Sequence, residues 1–176
     1  MRQRIIITIA IAAVTLVAAG AAIAGTLTTT ANVSGTAGIS LNLPANPALS
    51  DTLDGTDQNV TYAPLLGIVD ARGDGSGWNL QISATTFTSG LHTLAAGSVT
   101  AAAQTCKAGS TCTPASNNII GLPLGITTTA AKFFNAATNS GLGKLDITPT
   151  INVAIPGNSY AGTYTSTVTL AVTTGP

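Results

Sequence analysis

Glutamate is absent from this sequence, histidine occurs once, at His92, and charged residues make up only 7% of the 176 residues. The six acidic residues are all aspartates, and lysine and arginine together also number six. General acid–base catalysis requires titratable side chains gathered at one site, and this chain supplies few of them. Nucleic-acid binding requires a clustered positive face that neutralises phosphates, which so few basic residues do not provide. The composition therefore predicts neither an enzyme nor a nucleic-acid-binding protein.

Threonine and alanine take the place of the missing charged residues, with 30 and 29 copies. Threonine favours strands because its branched β-carbon fits a pleated surface, whereas the residues that dominate soluble helices are scarce here. The 19 glycines and 8 prolines fall largely between short strand-like runs. We therefore predict an all-β fold: a single-domain β-sandwich of Greek-key, jelly-roll or immunoglobulin-like type, following an N-terminal signal segment.

The N-terminal segment has the pattern of a secretory signal peptide. Arg2 and Arg4 precede an uncharged apolar run from Ile5 to Ala24, which ends in small residues. This pattern predicts a signal peptide over residues 1–24, cleavage between Ala24 and Gly25, and a mature domain over 25–176. The run is also long enough to span a membrane as a helix, so an uncleaved anchor is the alternative. Both interpretations place the rest of the chain outside the cytoplasm, secreted to the cell surface or wall.

Two cysteines agree with export. Cys106 and Cys112 bracket a five-residue segment, and an oxidising exterior favours a disulfide between them. The spacing is not that of a CxxC redox motif, so we predict a structural bridge that fixes one loop.

The clearest strand pattern is the unbroken apolar–polar alternation over residues 78–85. A turn rich in glycine and aspartate, residues 70–77, precedes it, and residues 59–69 are interpreted as its partner strand. This pair is either a hairpin or a corner between two sheets.

A second pair is predicted near the C-terminus, where strands over residues 145–155 and 164–172 flank a turn at 156–159. Tyr160, just after this turn, suggests a tyrosine corner. Three weaker segments are a strand over 39–43, an edge strand over 118–126, and a helix or strand over 132–137.

Two segments resemble the paired signatures of the WxL domain, a secreted module of Gram-positive bacterial surfaces. The first is Trp78-Asn79-Leu80, which follows the Gly/Asp-rich turn, and the second runs from Tyr164 to Pro176. The distal signature of the family also has an aliphatic residue and a threonine, which fall on Val168 and Thr169. Leu170 stands where the family has its second tryptophan, and Val172 replaces a leucine.

The resemblance implies a β domain that attaches to the cell wall without a covalent link, and we predict a non-catalytic wall-binding or adhesion module. Peptidoglycan or another wall polysaccharide is the implied ligand, and other surface proteins are implied partners. The candidate binding residues are Trp78, Leu80, Tyr164, Thr169, Leu170 and Val172. Trp78 alternates with Leu80 and Ile82, and this pattern favours a core position for it over a binding platform.

Five aspartates fall within a short stretch and could supply oxygen ligands to Ca²⁺. They are Asp51, Asp54, Asp57, Asp70 and Asp74. Several are also part of turn dipeptides such as Asp-Gly, and no complete calcium-binding loop is present. We therefore predict no cofactor, with Ca²⁺ as the alternative.

A second functional hypothesis is a structural subunit of an extracellular fibre or pilus. The segment Gly25–Ser34 is rich in threonine and is expected to be extended, so it could join the sheet of a neighbouring molecule. The two hypotheses differ in whether this segment is required for self-association.

Overall fold

The computed structural model describes residues 31–35 and 38–176. The predicted signal peptide and the cleavage site at Ala24 and Gly25 lie outside these residues, so the domain boundary at Gly25 stays a prediction. Within the described ranges, no helix is both long and apolar enough to cross a membrane.

Eleven strands make up the regular structure of this part of the chain. They are β1 (Ile39–Asn42), β2 (Gln58–Tyr62), β3 (Leu66–Asp70), β4 (Trp78–Ala84), β5 (Phe87–Ser89), β6 (His92–Leu94), β7 (Ser98–Cys106), β8 (Leu124–Gly125), β9 (Ala131–Ala136), β10 (Gly143–Ile155) and β11 (Val168–Thr174). Their pairings are all antiparallel. The predicted all-β fold class is confirmed.

The long strand β10 organises the main sheet. One edge of β10 pairs with β7, and β8 follows on the far side of β7. The other edge is shared, since β3 pairs with residues 143–147 and β2 with residues 151–155. β1 completes the sheet beyond β3. Pro64 lies between β2 and β3, where a proline cannot donate to a ladder, and the predicted single strand over 59–69 is therefore two.

The second sheet has the order β11-β4-β9, and β5 and β6 form a separate hairpin. The predicted hairpin between residues 145–155 and 164–172 is wrong, because β11 pairs with β4 and not with β10. The segment over 70–77 connects β3 of the main sheet to β4 of the second sheet, so it is a corner between sheets and not the turn of a hairpin. Of the predicted edge strand over 118–126, only β8 forms.

The inward faces of the two sheets share one core. Its fully buried side chains come from β3, β4, β7, β9 and β10: Leu66, Ile68, Trp78, Leu80, Ile82, Val99, Phe133, Phe134, Leu145, Ile147 and Ile151. Burying one large apolar side chain of this kind contributes about 1.5–3 kcal/mol before the entropy of ordering it is subtracted.

A β-bulge explains why residues 132–137 gave no clear periodicity. Leu80 pairs with Phe134 and Gln81 with Lys132, so Phe133 is an extra residue in β9. A bulge brings consecutive side chains toward the same face, and Phe133 and Phe134 are both buried. The apolar pattern of β9 therefore matches neither the period of a strand nor that of a helix.

A buried ion pair fixes the corner between β3 and β4. Asp70, the last residue of β3, is 1% exposed and accepts hydrogen bonds from Arg72 Nε (2.9 Å) and Nη2 (2.8 Å). The same Nη2 donates to the carbonyl of Gly77, which directly precedes β4 (2.8 Å). The hydrogen bond to Asp70 raises the pKa of Arg72, so the guanidinium remains charged. One side chain thus joins the end of a strand in one sheet to the start of a strand in the other.

Trp78 joins this corner to the connection between β9 and β10. Its Nε1 donates to the carbonyl of Gly141 (2.9 Å), and its ring stacks on Phe134 with centroids 6.0 Å apart. Gly141 has a φ of 71°, and a β-carbon there would lie 2.6 Å from Trp78 Nε1. Glycine is therefore required at this position by both the backbone angle and the indole.

We predict that Arg72→Met lowers the free energy of unfolding by about 3 kcal/mol, because it leaves the Asp70 carboxylate buried without its partner. Urea denaturation of the purified chain measures this. Lys107→Met is the matched control, since the Lys107–Asp146 pair is 3.8 Å apart and Lys107 is 53% exposed. Its expected cost is below about 1 kcal/mol. Equal losses in the two variants would contradict a structural role for the buried pair.

Candidate functional site

The two segments that resemble signatures lie side by side. β4 and β11 are paired, with Leu80 opposite Val172 and Ile82 opposite Leu170. Hydrogen bonding continues past the end of β11, because Asn79 Nδ2 of β4 donates to the carbonyl of Gly175 (2.8 Å). Segments separated by about 90 residues in sequence therefore form one continuous part of the second sheet.

Most of the candidate binding residues face the core. Trp78 and Leu80 are completely buried, so neither side chain offers a surface to a ligand. Leu170 and Val172 are half-buried and pack against the core. Thr169 is exposed on the opposite face of the sheet and pairs with Ser83. The side chains of the first signature therefore form part of the hydrophobic core, as the apolar–polar alternation around Trp78 predicts.

A groove lies over the C-terminal half of β10 and over β2. There the inward face of the main sheet is covered by loops and by the β5–β6 hairpin, and two cavities of about 600 Å³ each remain. We call these two cavities together the groove. The first is lined by Leu49, Ser50, Asp51, Thr52, Leu53, Val60, Phe87, Leu94, Val153, Ile155 and Ser159–Tyr164. The second is lined by Leu43–Leu49, Tyr62, Pro64, Phe87, Ile151, Thr163–Val168 and Leu170. Leu49, Phe87, Thr163 and Tyr164 line both.

The aromatic residues divide cleanly between the core and the groove. Trp78, Phe133 and Phe134 are buried in the core. The other four, Tyr62, Phe87, Tyr160 and Tyr164, all line the groove. Leu170, which stands at the position of the second tryptophan in the family signature, lines it as well.

Tyr164, and not Tyr160, makes the tyrosine corner. Tyr164 Oη donates to the carbonyl of Tyr160 (2.9 Å), so the predicted assignment of the corner to Tyr160 is wrong. Tyr160 is 64% exposed, and its ring stacks on the imidazole of His92 with centroids 3.8 Å apart and planes 15° apart. The stack presents a flat aromatic surface at the side of the groove.

The lining of the groove carries little charge. Asp51 is its one charged side chain. Burial raises the pKa of the Tyr62 hydroxyl, which therefore stays neutral at physiological pH. Hydroxyl groups from Ser50, Thr52 and Ser159 lie among the apolar side chains. Such a surface suits an uncharged ligand with apolar faces and many hydroxyl groups.

The aspartates that could serve as calcium ligands accept hydrogen bonds from other groups of the chain. Asp70 binds Arg72, and Asp54 and Asp74 each accept a backbone and a hydroxyl hydrogen bond from the residue two positions later. These bonds lower the pKa of both turn carboxyls. Across residues 31–35 and 38–176, no three His, Cys, Asp or Glu side chains form a group that could hold a metal ion.

Cys106 and Cys112 form the predicted disulfide. It closes the loop at the end of β7, and Cys112 also bridges to Gly143 at the start of β10. Since the groove lies at the other end of β10, the disulfide has no part in it.

Sequence reasoning missed most of the groove, including Phe87, Leu94 and the segment Leu49–Leu53. These residues carry no motif and come together only in the fold. One signal was available, because aromatic residues outside the clear core strands are the residues most apt to serve a binding surface.

The family profile described as WxL domain surface cell wall-binding matches residues 35–176. A search of curated proteins and a search of solved structures found no match to the chain. The match covers most of the sequence, including both strands that bear the signatures and the whole groove. The chain therefore belongs to the WxL domain family of surface cell wall-binding domains.

Proposed function

We propose that this protein is a secreted, non-catalytic surface protein that binds the glycan of peptidoglycan in the groove and so attaches to the wall without a covalent link. The observation that carries the proposal is the division of the aromatic residues. Every Trp, Phe and Tyr side chain that is not fully buried in the core lines the groove. The N-terminal signal pattern and the disulfide support export.

The chemistry of the groove fits a sugar chain. Pyranose rings present apolar C–H faces that pack on aromatic rings, and their hydroxyls exchange hydrogen bonds with polar groups around those rings. Tyr160, stacked on His92, offers the exposed ring, and Ser50, Thr52 and Ser159 supply hydroxyls to the lining of the same cavity.

The lining also supports a role in binding without hydrolysis. Glycoside hydrolysis requires two carboxyl groups on either side of the scissile bond, about 5–10 Å apart. Among the lining residues Asp51 is the single carboxylate. The groove can therefore hold a glycan but lacks the second carboxyl group of a hydrolase.

We predict that Tyr160→Ala weakens binding to purified, protein-free cell walls about fivefold, because an aromatic contact of this kind is worth about 1 kcal/mol. Co-sedimentation of the full chain with increasing amounts of walls measures the change. Tyr160→Phe keeps the ring and should bind like the wild type.

Ile120→Ala is the control, since Ile120 is 96% exposed and does not line the groove. Wall binding that is unchanged in Tyr160→Ala, or reduced equally in Ile120→Ala, would exclude the groove as the binding site.

We further predict that Leu170→Trp strengthens wall binding. The side chain lines a cavity of about 600 Å³, which has room for an indole, and the substitution adds an aromatic ring to the groove. The expected gain is severalfold in the same assay, with a thermal midpoint close to that of the wild type. Unchanged binding by a stably folded variant would show that the glycan does not contact this part of the groove.

A further inference from the structure

The strand β2 has an outer edge that is open. One edge of β2 pairs with β10, and among the described residues no backbone hydrogen bond reaches the other. No residue of β2 is charged, and Asn59 and Thr61 are exposed. An uncharged, unpaired edge of this kind is a template for another strand.

Two prolines keep this edge open. β1 pairs with β3 from Ile39 to Asn42 and would run along β2 if it continued in the same direction. Pro44 and Pro47 follow instead, and proline cannot donate to a ladder. The chain after Asn42 therefore leaves the sheet and covers the groove.

Two flanks between the sheets are covered by other contacts. The segment 115–118 bonds to both sheets: Gln104 of β7 exchanges two hydrogen bonds with the backbone of Ala115, and Asn135 of β9 exchanges two with Asn117 and Asn118. On the opposite side, β1 lies beside β11. At β2, the side chain of Gln58 donates a hydrogen bond to the carbonyl of Thr52, but among the described residues no backbone hydrogen bond reaches the outer edge of the strand.

The chain contains a segment with the pattern of a suitable strand. From Leu27 to Ser34 the sequence alternates, with Leu27, Thr29, Ala31 and Val33 on one face and three hydroxyl residues and an asparagine on the other. It carries no charge and no proline. Val33 is 93% exposed, and residues 31–35 belong to no strand. We propose that this segment of one molecule adds to the open edge of β2 in a second molecule, so that the chain self-associates head to tail.

The segment Leu27–Ser34 is too short to pair along β2 of its own molecule, so its partner must be a second molecule. Gly35 lies against the backbone of Arg72, two residues beyond the level where Asp70 pairs with Gly143. The edge of β2 begins at Tyr62, which pairs with Ile151, so the two levels are about 26 Å apart at ~3.3 Å per residue. A fully extended chain needs about eight residues to cover this distance, so the residues from Leu27 to Ser34 span only the gap between Gly35 and Tyr62. The alternating segment therefore cannot pair along β2 of its own chain.

The test uses one variant that lacks the donor and one that lacks the acceptor. Thr29→Pro interrupts the donor segment, and Thr61→Lys places a charge on the open edge. The full chain, produced in a secreting host, should form oligomers that grow with concentration in sedimentation velocity. Each variant alone should be monomeric. An equimolar mixture should form dimers and nothing larger, because it contains one intact donor and one intact acceptor.

Thr105→Lys is the matched control, since it places the same charge on an exposed residue of β7 in the same sheet and should assemble like the wild type. Circular dichroism and thermal midpoints check that all variants are folded. The proposal is overturned if the full chain is monomeric at its highest soluble concentration, if either variant assembles like the wild type, or if the mixture contains no dimers.

Discussion

The buried ion pair between Asp70 and Arg72 is the interaction on which the sandwich depends. Removing two charges from water is costly, and this cost is offset by the bidentate geometry and by the additional bond from Arg72 to the Gly77 carbonyl. The bond to Gly77 sets the position at which β4 enters the second sheet. Trp78 is the next residue in the chain, and its indole lies between this corner and Gly141, to whose carbonyl it donates a hydrogen bond. The first signature of the family therefore maintains the fold.

Strands with one buried face were predictable from sequence, whereas their partners were not. β4 and β10 alternate clearly, because each has one face in the core. The predicted pairing of 145–155 with 164–172 failed because strands that follow one another in sequence cross here from one sheet to the other. No local pattern encodes that crossing. β9 was ambiguous for a different reason, since its bulge buries Phe133 and Phe134 together.

The groove is harder to predict than the strands, because it is assembled from loops that are far apart in sequence. Leu49, Phe87 and Tyr164 share its lining only in the folded chain. Tyr164 and Leu170 were identified from the distal signature, and both line the groove. The ring stack of Tyr160 on His92 joins residues 68 positions apart, and nothing in either local sequence indicates it. A signature reports the positions that a family shares, and here these are mainly positions of packing.

The disulfide loop and the buried arginine also bear on survival in an environment that contains proteases. From Gly25 onward the chain has four basic residues, at Arg72, Lys107, Lys132 and Lys144. Proteases that cleave after basic residues need exposed, irregular segments. Arg72 is buried in its ion pair, and Lys132 and Lys144 lie within strands. Lys107 is exposed in a loop, but it lies between Cys106 and Cys112, so a cut there leaves both ends covalently joined and the two sheets intact.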